Sequence, residues 1–125
     1  MVLMRTLALC FALLACVLHI AFFAVEAFAP HLLLKANPEQ LNNSVKLFAF
    51  NQGFYNLFLA LGGFYGVFRA YQNQGTPDLL VFILLAMLGA SLVLFGSNPN
   101  LLRGVLAQGV PPLISLIFFW ISQRP

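Results

Sequence analysis

Glu26 and His19 stand seven residues apart in an otherwise apolar run, and the amides Asn51, Gln52, Asn56 and Gln108, with the phenol of Tyr55, interrupt two other such runs. A carboxyl group and an imidazole held away from water can store or pass a proton near neutral pH. Amides can orient a ligand, or they can bond neighbouring helices together at roughly 0.6 to 2 kcal/mol each. Hydrocarbon offers no water to satisfy such groups, so all of them are expected to face protein or a cavity. Three chemistries fit the set. Glu26 could change protonation while the amides position a small molecule or ion. Glu26 and His19 could act as acid and base in a lipid-directed isomerase or epimerase, which needs two proton-transfer groups on one substrate. The cluster could also be packing glue in a structural or accessory subunit.

Other chemistries find no support. No nucleophile triad, phosphate loop or dinucleotide fingerprint is present, and no cofactor is expected. His19 and Glu26 could share a helix face, but two ligands with no Cys or second His nearby make a poor metal site, and no metal is expected. Cys10 and Cys16 lie about 240° apart around one helix, so they cannot bridge each other and read as free apolar thiols. The net charge of +3 is spread along the chain without a Lys or Arg cluster, which argues against nucleic acid as a partner.

The elements that must position these residues are helices in a lipid bilayer. Of 125 residues, 62% are hydrophobic and 7% are charged, against about 25% charged in an ordinary soluble domain. So few charges cannot cover a water-facing surface, and the apolar residues come in blocks long enough to span a membrane. The expected fold is all-α, a single domain of four transmembrane helices over residues 6–29, 44–68, 79–95 and 101–121. The first block is longer than a signal-peptide core and is expected to be a retained helix, despite a cleavage-like Ala27-Phe28-Ala29 and a loose lipoprotein-like Leu13-Leu14-Ala15-Cys16. Between the spans, Asn37-Pro38, Gly75, Pro77 and the run Gly96 to Asn100 signal turns. Leu32, Leu33 and Leu34 could lie at headgroup level, and Trp120 with Arg124 reads as an interfacial anchor. Arg5, Arg69 and Arg124 fall on one side and Lys35, Lys46 and Arg103 on the other, so basic charge gives no orientation.

Helical spacing brings the polar residues together. Ala8, Ala12, Ala15, His19, Phe22 and Glu26 form one stripe, and Ala49, Gln52, Gly53, Asn56, Ala60, Gly63 and Val67 form another. Small residues let membrane helices approach, so the two stripes are expected to face each other. Gly62 and Gly66 make a weak small-residue motif for packing within the bundle. Matching the midpoints of the antiparallel spans sets His19 level with Asn56, Phe23 with Gln52 and Glu26 with Ala49. Gln108 enters the fourth span from the same side as Glu26. Pro111 and Pro112 leave the carbonyls of Ala107 and Gln108 without their usual donors and predict a kink there. The expectation is a polar pocket between the first, second and fourth helices.

The run Ala49-Phe50-Asn51-Gln52-Gly53-Phe54-Tyr55-Asn56-Leu57-Phe58-Leu59-Ala60, with His19 and Glu26 before it and Gln108-Gly109-Val110-Pro111 after it, resembles the small four-span membrane proteins of domain-of-unknown-function family 1304. The resemblance covers most of the chain from His19 to Pro112. It implies a multi-pass protein of the bacterial cytoplasmic membrane with no established activity; some relatives carry an epimerase label. That family often has a Glu directly before the histidine, where this chain has Leu18, and its first loop differs from Pro30 onward.

Overall fold

The computed structural model describes residues 2–32, 38–72 and 77–123. The expectations placed on Leu33, Leu34, Lys35, Asn37, Gly75 and Arg124 lie outside these residues. Four helices follow in order: α1 (Val2–Phe28), α2 (Asn43–Tyr71), α3 (Asp78–Ser97) and α4 (Leu102–Ser122). Short 3-10 turns occupy Pro30–Leu32, Pro38–Gln40 and Pro99–Leu101, and there is no strand among the described residues. The turn-forming residues act where a helix must stop or start. Asn42 caps α2 by accepting from the Val45 N–H at 2.9 Å, and Asn98 accepts from the Asn100 N–H as the chain turns into α4.

α1 begins four residues before the stretch read from the apolar run, and α2 and α3 extend past theirs at both ends, because the backbone ladder does not stop where hydrocarbon ends; α4 is displaced by one residue. The fold is all-α. Three of its helical stretches, Val2–Phe28, Asp78–Ser97 and Pro99–Ser122, are long and apolar enough to cross a membrane, as in an integral membrane protein. The other helix, α2, carries Asn43, Lys46, Asn51, Gln52, Asn56 and Arg69, which dilute its hydropathy. α4 runs without interruption through Pro111 and Pro112.

The helices sit at the corners of a square, with α1 packed along α2 and α4, and α3 along α4. α1 and α3 are diagonal. One half of the bundle is a dry core, in which Ala8, Ala12, Ala15 and Cys16 of α1 meet Ala60, Val67 and Ala70 of α2, Leu80, Leu84 and Met87 of α3, and Phe119 of α4. Small residues on α1 and α2 bring those two axes together. A Cβ at Gly63 would overlap Cys16 Sγ; on the α3 side of α2, one at Gly66 would lie 3.0 Å from Leu80 Cβ.

Three side chains staple this frame through backbone carbonyls. Arg5 donates to the Ala70 carbonyl at 2.6 Å, Ser91 to Val105 at 2.9 Å and Ser115 to Ala8 at 2.8 Å. Ser115 is fully buried and its bond joins α4 to α1. Ser115→Ala leaves the Ala8 carbonyl its own helical partner, so the loss is expected to be near the membrane average of about 0.6 kcal/mol and no more than about 1.7 kcal/mol. Unfolding followed by circular dichroism in detergent micelles measures it.

Candidate functional site

Opposite the dry core, the second half of the bundle gathers the polar residues. The contact that fixes it is Gly53 against α1, where a Cβ would lie 3.1 Å from both the Phe23 carbonyl oxygen and the Ala27 nitrogen. That approach lets side chains from the two helices meet. Asn56, three residues along α2 and 2% exposed, donates from Nδ2 to Glu26 Oε2 at 2.7 Å. Phe23 and Phe54 pack edge-on beside the glycine at 5.1 Å.

This register corrects the one drawn from span midpoints by about one helical turn. Gly53 lies over Phe23 to Ala27, Gly63 lies over Cys16, and Asn56 reaches Glu26 where a level pairing with His19 was expected. Close-packed glycines, which admit only one helix-to-helix fit, set the register; the centres of the apolar runs do not.

Gln52, Asn56, Glu26 and Gln108 line one cavity of about 610 Å³, within the usual range of about 300–1,000 Å³ for ligand pockets. Phe22 closes it on the α1 side, Leu101 of the last 3-10 turn and Gly104 of α4 border it next, and Ala90, Val93, Leu94 and Ser97 form its α3 wall. This cavity also borders α3, a helix that the sequence reading did not include. Nothing in the α3 sequence marks it, because its contribution is apolar; Ser97 Oγ bonds back to the Val93 carbonyl at 2.7 Å. The cavity is consequently two-sided in chemistry, with a carboxyl group and amides on α1, α2 and α4 facing an apolar surface on α3.

The remaining expected residues fall elsewhere. His19 is fully buried and absent from the cavity lining. Its Nδ1 donates to the Ala15 carbonyl at 2.8 Å, so in the neutral ring Nε2 is an acceptor, and Nε2 has no partner among the described residues. His19 touches Phe22 edge-on at 5.5 Å, and Phe22 lines the cavity. Asn51 is exposed and borders a shallower groove of about 410 Å³, which it shares with Glu26, Gln52 and Phe48 on the outer side of the α1–α2 pair. Tyr55 is 58% exposed and lines neither space. Adjacent helix residues point about 100° apart, so neighbours of Gln52 and Asn56 in sequence are not their neighbours in space.

Among the described residues Glu26 is the only ionisable side chain in the cavity lining. Among the described residues no group of three or more His, Cys, Asp and Glu comes together. The arrangement can hold a proton on Glu26, accept from a donor at its carboxyl group and at the amide oxygens, and donate from the amide nitrogens. An acid–base pair on one substrate would need a second proton-transfer group in the lining, and His19 does not supply it.

Comparison with known proteins gives a single kind of match. A family model described as a protein of unknown function (DUF1304) matches residues 13–120, from the middle of α1 nearly to the end of α4, and this span shows the family. No curated protein and no solved structure matches the chain.

Proposed function

We propose that this chain, which belongs to the DUF1304 family, is a four-span membrane protein that binds a small molecule in the cavity between its helices, with Glu26, Gln52, Asn56 and Gln108 as the recognising groups. The observation that carries the reading is the convergence of these four side chains on one space of about 610 Å³. Glue would bond its members to one another. Here Asn56 and Glu26 do so, while the amides of Gln52 and Gln108 border the open space. Counting α2 as the fourth span is supported by its outer face, where Phe50, Phe58, Leu61 and Phe68 are exposed and suit a lipid environment. Binding is favoured over a through-going path because Leu80, Leu84 and Met87 are fully buried in the other half of the bundle, which closes the cavity toward that face.

Native mass spectrometry of the purified protein tests this. The wild type is expected to carry a co-purifying adduct, and Glu26→Gln and Gln52→Ala are expected to lose most of it, by at least about tenfold. Wild-type protein that shows no adduct under conditions that keep lipid on a control membrane protein would overturn the proposal.

A further inference from the structure

The cavity lies where α2 and α3 part. α2 and α3 touch closely at one end of the bundle only, where a Cβ at Gly62 would lie 3.1 Å from Ile83 Cδ1 and one at Gly66 would lie 3.1 Å from Leu80 Cα. Overall this is the least closely packed of the four neighbouring helix pairs, and toward the other end the cavity separates the two helices. The cavity lies in the widening half, with Gln52 and Asn56 on its α2 side and Ala90, Val93 and Ser97 on its α3 side. Gln52, Val93 and Ser97 are all exposed, so both lips of the gap meet the surroundings of the bundle. Three apolar helices place those surroundings in a bilayer.

We infer that the ligand of this cavity is an amphiphile taken sideways from the bilayer through the α2–α3 gap, its head group a hydrogen-bond donor held by Glu26 and the amides and its apolar tail lying along α3. The inference rests on the cavity being a binding site, and it adds the ligand's class and route. The two-sided lining carries the class. An entirely polar solute would leave the Ala90, Val93 and Leu94 wall facing polar atoms, and an entirely apolar one would leave the Gln52 and Gln108 amides without partners. Among the described residues no Lys or Arg lines the cavity, so an anionic head would meet Glu26 with none of them to offset it. A head that donates, whether an ammonium or a hydroxyl group, matches the acceptors present. The tail keeps the ligand in the bilayer and occupies the α3 wall, and among tailed molecules the head group decides.

Native mass spectrometry of the purified full chain in micelles, with five added probes, decides the matter. Hexadecylamine and monopalmitoylglycerol present a donor head on a long tail; ethanolamine and glycerol present the heads alone; lysophosphatidic acid presents an anionic head on a tail. At least one of the first two is expected to bind one-to-one, about tenfold or more tighter than its tailless counterpart and than lysophosphatidic acid. Glu26→Gln is expected to weaken both, the amine about tenfold more than the glyceride, which separates a cationic from a neutral head. Ala90→Trp, which fills the α3 wall without touching the polar groups, is expected to abolish both. Equal binding of ethanolamine or glycerol, or preference for lysophosphatidic acid, overturns the amphiphile and leaves the binding site standing. Absence of every probe together with absence of any co-purifying adduct overturns both.

Discussion

Gly53→Val is expected to destabilise the protein by about 1–3 kcal/mol, the usual range for overpacking a tight contact, and to abolish ligand binding with it. The neighbours of the missing side chain decide the magnitude. A Cβ at position 53 would sit 3.1 Å from the Phe23 carbonyl oxygen, 3.1 Å from the Ala27 nitrogen and 3.2 Å from Ala27 Cβ. Two of these are backbone atoms of a continuous helix, which cannot rotate away as the tip of a side chain can. The helices must separate instead, and Asn56 and Glu26 are drawn apart because they meet three residues from the fulcrum. Gly89→Ala is the matched control. Nothing lies within 4 Å of its Cβ position, so the added methyl meets open space, and the gain in helix propensity is expected to stabilise by about 0.5–1 kcal/mol. Melting of both variants in the same micelles measures the contrast. A Gly53→Val protein that melts with the wild type would show that α1 and α2 do not rely on this contact.

The same residues show what was legible in the sequence. Of the α1 stripe, Ala8, Ala12, Ala15 and His19 are buried and Phe22 and Glu26 half-buried; on α2, Gly53, Asn56, Ala60, Gly63 and Val67 are buried, Ala49 is half-buried and Gln52 is exposed. Helical periodicity encodes a face directly, so the lines could be read. Depth is not encoded in that way. A one-turn slide keeps both stripes facing each other, and only the close fit of Gly53 on Phe23 and Ala27, and of Gly63 on Cys16, selects among the slides. Asn51 and Tyr55 illustrate a second limit: both stand inside the polar run, yet neither belongs to the stripe, and both are exposed. The α3 wall is a third. A helix apolar all round gives no sign of which side it will turn inward, so Ala90, Val93 and Leu94 could not be distinguished from residues that face lipid. Ser91 and Ser115 gave too little signal for the same reason: a single hydroxyl in an apolar helix becomes meaningful only when the carbonyl it meets is known.

A double-mutant cycle at Glu26 and Asn56 is expected to separate recognition from glue. Asn56→Leu alone removes the donor that Glu26 Oε2 uses at 2.7 Å. It leaves a half-buried carboxyl group short of a partner, for an expected loss of about 1–3 kcal/mol. Replacing both residues by leucine removes the unsatisfied group as well as the bond. The expected outcome is recovery to within about 1 kcal/mol of the wild type or better, since apolar substitution of a whole buried polar pair is often neutral or stabilising. If the pair were retained for packing, the double variant would be the least stable of the set, and unfolding in micelles would show it. The distinguishing readout is the ligand: the double variant is expected to fold as well as the wild type and to carry no adduct by native mass spectrometry. A polar pair that the fold can do without, and that binding cannot, is held in the protein by its ligand. The opposite result, a double variant that is unstable yet still retains the adduct, would return Glu26 and Asn56 to the helix interface and leave recognition to Gln52 and Gln108.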